Sequence, residues 1–148
     1  MRDYFNLSSL IYFMNLHAIT LVQASLERVM QQGETVVALF YAHLFMLDPA
    51  LRTLFPPDLS EHGRSFLAAL QLGVNGLLAS ETMIPAIKQI GYLHARHGIG
   101  PRHYHTFGQA WLWTLAQVLG DTFTEEVAEA WQEAFYLVAG LMKEAAIN

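Results

Sequence analysis

The chain reads as helix-period apolar stretches broken by short glycine- and proline-containing segments, with no strand-like alternation sustained beyond a few residues. Ile19 to Gln32 predicts a first helix, stopped at Gly33. Glu34 to Leu47 predicts a second, with Val36, Val37, Phe40, Tyr41, Leu44 and Phe45 at its apolar positions. Asp48-Pro49 opens a short helical turn to Phe55, with aspartate as cap and proline at the first helical position. Pro56-Pro57 is a firm break. Leu59 to Ala79 and Thr82 to His97 predict the next two helices, the first ended by Ser80. Gly98 then fits the left-handed position after a helix end. Beyond Gly100-Pro101 a helix runs from Arg102 to Leu119 and stops at Gly120-Asp121. Thr122-Phe123-Thr124-Glu125 has the capping-box pattern for a last helix to about Ala146. The pattern predicts an all-α protein of seven to eight helices, without repeats or a low-complexity linker.

Two of these helices carry a histidine on their apolar face. His62 shares a face with Phe66, Ala69, Leu70 and Gly73, and His94 shares one with Ile87, Ile90 and Gly91. A buried imidazole needs a partner for each ring nitrogen. If the two helices face each other, a flat cofactor with a central metal would meet a histidine on either side. The plain alternative for each is a core histidine bonded to a backbone carbonyl. His97, beside the cap glycine, reads as a solvent-side residue. The His94–His97 spacing is a weak zinc signal, because no carboxylate or cysteine stands nearby to complete a site.

Composition narrows the classes. Hydrophobic residues make up 53% and charged ones 14%, against typical values of roughly 45–50% and about 25%. The excess suits a chain that lines an internal cavity or buries an oligomer face. The 148 residues suffice for one domain with a real core. With a net charge of −5, only 8 Lys plus Arg and no basic run, nucleic acid and anionic membranes are not expected partners. The absence of cysteine excludes disulfides, thiolate nucleophiles and thiolate-bound metals, and leaves the cytoplasm as the default compartment.

Leu7 to Val22 is apolar, but Asn15 and His17 interrupt it, and it is too short for a membrane span of about 20 residues. Beside a signal peptide, two readings stand for the N-terminus: an upstream extension before a start at Met14, or an ordered amphipathic pre-helix used in dimer contacts.

Three runs resemble globins. FYAHLFMLDPALRTLF, from Phe40 to Phe55, is similar to their B–C segment. IGYLHARHGIGPRHYHTFGQ is similar to the F helix, FG corner and start of G, and LGDTFTEEVAEAW to the start of H. The resemblance covers residues 18 to about 145 and leans toward bacterial single-domain globins and the globin half of flavohaemoglobins. It implies a globin fold around a haem pocket, with residues 18–148 as a single globin domain and residues 1–17 as an N-terminal extension. It implies haem b as cofactor.

His94 matches the proximal histidine that binds haem iron. Phe55 matches the phenylalanine packed on the haem, and Tyr41 the distal tyrosine whose hydroxyl donates to bound dioxygen. His62 matches the distal position, with Phe66 and Ile99 as further residues against the cofactor. Tyr104 matches a tyrosine that joins a glutamate near the proximal imidazole, making the imidazole more anionic. Glu144 is the nearest carboxylate to that glutamate's place. Its spacing from Trp131 is two residues short of the family pattern, a rotation of about 200° on a helix. His103 and His105 read as surface residues, and with Arg64 and Arg96 as candidates for a haem propionate.

The departures matter. The bacterial relatives usually place glutamine where this chain has His62, and a smaller aliphatic residue where it has Phe66. His62 either donates to a bound gas or is a sixth ligand to the iron. Phe66 either crowds the sixth position or points away, leaving Tyr41 and His62 as a two-donor pocket; hydrogen bonds to a partly anionic guest are of the stronger kind.

Two functions follow. One is handling of diatomic gases (dioxygen, nitric oxide, carbon monoxide), with nitric oxide dioxygenation by an external electron-donating reductase. No GxGxxG follows a strand, so the sequence suggests no flavin or nicotinamide module of its own. The other is a bis-histidyl six-coordinate protein (His62 and His94 both on iron) for redox, nitrite reduction or sensing. A haem-free interaction domain is disfavoured by the two histidines and Tyr41, and a sensor with a fused output domain by the absence of sequence after the last helix. The apolar N-terminus and an aromatic face of Trp111 and Trp113 permit a homodimer.

Overall fold

A computed structural model describes residues 14–78 and 80–147; the readings of residues 1–13 as extension, leader or pre-helix lie outside the described residues. Among the described residues there are six α-helices and two 3-10 helices, and no strand. They are α1 (Leu16–Met30), α2 (Gly33–Leu47), a 3-10 helix (Pro49–Leu54), α3 (Ser60–Asn75), α4 (Ser80–Arg96), α5 (Pro101–Leu119), a 3-10 turn (Gly120–Thr122) and α6 (Glu125–Ile147). No helix among the described residues is long and apolar enough to cross a membrane.

Local chemistry explains the ends. α1 begins three residues before Ile19 because the Asn15 side chain accepts from the Ala18 N–H at 2.7 Å. An asparagine that looked like an interruption is an N-cap. α3 stops at Asn75 rather than Ala79. Gly76 lies where a Cβ would meet Met83 at 2.5 Å, so the chain turns there to bring α4 alongside. The last helix is capped by Thr124, whose hydroxyl accepts from the Val127 N–H, whereas Thr122 closes the preceding 3-10 turn onto Leu119.

α4 ends in a Schellman arrangement. Gly98 takes φ +91°, its N–H donates to the Ala95 carbonyl, and the Ile99 N–H donates to the His94 carbonyl at 3.0 Å. That closure folds Ile99 back beneath the helix end.

α4 packs most extensively on α6, α2 on α5, and α1 on α6. Val22, Leu26, Val29, Val36, Leu44, Leu115 and Leu141 are fully buried between them. A polar tie deep in this core runs from Trp131 Nε1 to Ser25 Oγ, which itself donates to the Leu21 carbonyl. Two glycines set close crossings. A Cβ at Gly63 would lie 2.5 Å from Val37 Cγ1, where α3 crosses α2. A Cβ at Gly91 would lie 2.4 Å from Met142 Cα, where α4 crosses α6.

Candidate functional site

The crossings hold α3 and α4 apart on either side of a cavity of about 580 Å³, within the usual range for a small-molecule site. The α3 wall presents the predicted face: His62, Phe66, Ala69, Leu70 and Gly73 all line the cavity. The α4 wall presents Ile90, Leu93, His94 and His97, with Ile99 at its end. Ile87 is buried in the core, and Gly91 faces α6. Phe40 and Tyr41 of α2, Phe55 of the turn before α3, and residues of α5 and α6 complete the lining.

On the α3 side, the Tyr41 hydroxyl and His62 Nδ1 are hydrogen-bonded. Tyr41 is only 3% exposed, and the rings of Phe40, Phe45, Phe55 and Phe66 lie 5.3–6.3 Å from its own. Burial raises the Tyr41 pKa and lowers that of His62, so both are neutral near pH 7. Phe55 places its ring 4.9 Å from His62 at a steep angle. Phe66 is held in the wall, stacked on Phe40 at 4.5 Å with planes 13° apart and edge-on to Trp111 at 5.7 Å.

On the α4 side, His94 is half-buried and its Nδ1 lies 3.2 Å from the Tyr104 hydroxyl. Its pKa is lowered first by burial and then by the neighbouring His62 and His97. Burial pushes the Tyr104 hydroxyl up to about 12. Each histidine is thus backed at Nδ1 by a buried tyrosine.

The structure does not bring Glu144 to this pair. Glu144 lies 3.7 Å from Lys88 Nζ and does not line the cavity, as the two-residue offset from the family spacing suggests. His103, read from the sequence as a surface residue, is 7% exposed and accepts the Gly100 N–H at 2.8 Å as part of the α5 cap. His105 and Arg64 are exposed, and Arg96 sits 5.9 Å over the Tyr92 ring. His97 is exposed at the cavity mouth, with Nδ1–H donating to the Leu93 carbonyl at 2.8 Å.

The aromatic face expected from Trp111 and Trp113 is not one face. The two side chains point about 200° apart on the helix; Trp111 is buried against Phe40, Phe66 and Trp131, while Trp113 stacks flat on His43 at 4.0 Å.

Sequence reasoning missed Arg52. Its guanidinium donates to the carbonyls of Phe55, Pro56 and Pro57 and lies over the Phe45 ring, fixing the corner that carries Phe55. An arginine one turn before a Pro-Pro break was the available signal.

The globin family model matches residues 38–142. The chain belongs to the globin family. Among solved structures, this globin superposes with TM-score 0.80 on an engineered carbene transferase made from a provisionally assigned nitric oxide dioxygenase of Rhodothermus marinus. That pair is 25% identical, with 90% of this chain and 94% of the other covered. A bacterial globin from Campylobacter jejuni (18% identical, TM-score 0.79, 90% and 96% covered) shares the fold. In sequence, this globin is 34% identical over 136 residues to a flavohemoprotein of Xylella fastidiosa, covering 86% of this chain and 33% of that protein. A Bacillus subtilis flavohemoprotein is 30% identical over 125 residues, with 82% and 31% covered. The chain therefore spans about a third of the length of these curated relatives.

Proposed function

We propose that this globin binds haem b between α3 and α4 and handles dioxygen and nitric oxide, with electrons drawn from a separate reductase. The observation that carries the reading is the pair of tyrosine-backed histidines on opposite walls of one apolar cavity. Their donor chemistry fits the group. With each Nδ1 engaged, Nε2 is the remaining nitrogen of each ring, and no hydrogen bond among the described residues uses it. A planar apolar macrocycle with a central metal fills such a slot and takes one imidazole nitrogen directly. No group of three or more His, Cys, Asp or Glu among the described residues could hold a bare metal ion instead.

When bound, haem supplies the ferrous centre for diatomic gases and the one-electron chemistry that turns nitric oxide and dioxygen into nitrate. His94 would hold the iron through Nε2, with Nδ1–H donating to Tyr104 and so fixing the ring plane. Phe55, Phe66 and Ile99 would pack on the macrocycle and exclude water. Tyr41 and His62 bring polar atoms to the opposite wall, where a guest needs a hydrogen-bond donor.

The reductase is supported by the flavohemoprotein relatives, which extend well beyond the third that this chain matches. Protein produced with haem supplied should show an intense near-ultraviolet haem band. His94→Ala should lose that band and His97→Ala keep it. A wild-type protein that purifies without haem, or equal loss from both variants, overturns the reading. Sustained nitric oxide consumption with a flavin reductase, rather than a single turnover, is the further requirement for dioxygenase activity.

A further inference from the structure

We propose that the indole of Trp111 is a further guest-binding group: its Nε1–H donates to a small guest that accepts at oxygen, and the Phe66 ring covers that donor until the guest arrives. The inference rests on the haem reading above and adds a residue of α5 to the guest's surroundings.

Trp111 and Trp131 both line the cavity, and each is only 3% exposed. Their indole hydrogens fare differently. Trp131 Nε1–H donates to Ser25 Oγ of α1 at 2.8 Å. Trp111 Nε1 is buried and has no hydrogen-bond partner among the described residues. A buried N–H without an acceptor carries a desolvation cost that a purely hydrocarbon ring would avoid. Packing alone therefore does not account for an indole at this place, whereas a guest that accepts its hydrogen does.

Three aromatic rings surround the indole. Phe40, Phe66 and Trp131 stand edge-on to it at 6.1, 5.7 and 5.7 Å, with interplanar angles of 70–84°. An aromatic ring is a weak substitute for an oxygen lone pair, so a true acceptor displaces it readily. Phe40 and Trp131 are core side chains, 4% and 3% exposed, whereas Phe66 is half-buried on the cavity wall. Phe66 is thus the ring that yields. It lies one helical turn beyond His62, and Phe40 bridges it to Tyr41, with ring separations of 4.5 and 5.3 Å. The donor released by Phe66 therefore joins the same side of the cavity as the Tyr41–His62 pair. A guest with partial negative charge on oxygen gains a charge-assisted bond there, while an apolar guest leaves Phe66 in place.

The test is the rate of dioxygen release from the ferrous holoprotein, together with the infrared C–O stretch of its carbon monoxide complex. Trp111→Phe should release dioxygen about tenfold faster, the factor expected for one lost charge-assisted hydrogen bond, and should move the C–O stretch to higher frequency. Phe66→Leu uncovers the donor, so it should slow dioxygen release in the wild-type background and have no effect on release when Trp111→Phe is already present. That dependence separates the proposal from a merely structural role, in which the two substitutions act independently. An unchanged release rate and C–O stretch in Trp111→Phe overturns the proposal while leaving the haem reading intact, as does a Phe66→Leu effect that persists without the indole. Wild type that lacks haem overturns the haem reading and this inference with it. Should Trp111→Phe fold poorly, the indole N–H signal of Trp111 in nitrogen-15-labelled wild type decides, assigned through its contacts with Phe40 and Phe66. A downfield move from the carbon monoxide to the dioxygen complex supports the proposal, and an unmoved signal refutes it.

Discussion

Replacing Gly91 by alanine places a methyl carbon 2.4 Å from Met142 Cα, 2.5 Å from its carbonyl oxygen and 2.7 Å from its Cβ. Ordinary contact begins near 3.4 Å, so α4 and α6 must separate by about 1 Å at this crossing. Two of the three atoms are backbone, so side-chain rotation cannot relieve the clash. Forced overpacking of this kind costs about 1–3 kcal/mol. For a domain of this size that lowers Tm by about 2–12 °C. The displacement also reaches the site, because His94 lies one helical turn beyond Gly91. A shift approaching 1 Å is several times the roughly 0.2 Å tolerance of a metal–nitrogen bond. Thermal melting by circular dichroism and the rate of haem transfer to an apo-acceptor should both register Gly91→Ala, with a lower Tm and faster haem loss. Adding Met142→Ala should not rescue either, since the carbons and oxygen struck are not those of the thioether. Unchanged melting and haem loss in Gly91→Ala, or full rescue by Met142→Ala, would refute the reasoning.

Ser25→Ala leaves Trp131 Nε1 buried without an acceptor and should destabilise the fold by about 1–3 kcal/mol in urea titrations; a loss below about 0.5 kcal/mol would mean water replaces the hydroxyl. Phe66→Leu removes the ring stacked on Phe40 and edge-on to Trp111, a loss of about 0.5–1.5 kcal/mol per aromatic pair. It should also speed carbon monoxide rebinding after photolysis, and a slower rate would show that Phe66 does not narrow the entry. The Asp58 carboxyl is held below its usual 3.8 by hydrogen bonds from the Ser60 backbone and hydroxyl at the start of α3. The unfolded chain binds that proton at higher pH, so the stability Asp58 lends is present above about pH 4 and disappears as pH falls through the folded value. Acid melts of Asp58→Asn should be flatter than wild type over that window, and an identical profile would remove Asp58 from the account.

Most of the helical frame was legible because its stops are chemical. Pro56-Pro57, Gly100-Pro101 and the positive-φ Gly98 act through backbone sterics that need no tertiary partner. The start of α1 was misread, because the apolar run around Asn15 made a good N-cap look like an interruption. The end of α3 was not legible, since the turn at Gly76 depends on Met83 across the connection.

At the site, the periodicity put His62 and His94 on the apolar faces of two helices, and the family resemblance named Tyr41, Phe55 and Tyr104 beside them; that the two helices face one cavity came from the structure. The Tyr41–His62 hydrogen bond is another matter, since it joins residues 21 positions apart on two helices and no local pattern encodes it. His103 escaped for a similar reason, because whether an N3 histidine caps or faces solvent depends on how α5 is seated.

Gly63 makes the α2–α3 crossing a pivot, and His62 is its immediate neighbour, with Val37 one helical turn before Tyr41. Rocking about a pivot moves nearby atoms least. A tilt of about 5° shifts an atom one turn away by about 0.5 Å, but one at the far end of α3, about 18 Å along, by about 1.6 Å. Gly73, Val74 and Leu77 line the cavity at that far end. Any tilt of α3 about this crossing therefore moves the far end of the cavity wall about three times as far as the tyrosine–histidine pair, so one helix carries a stiff end and a compliant end of the same cavity.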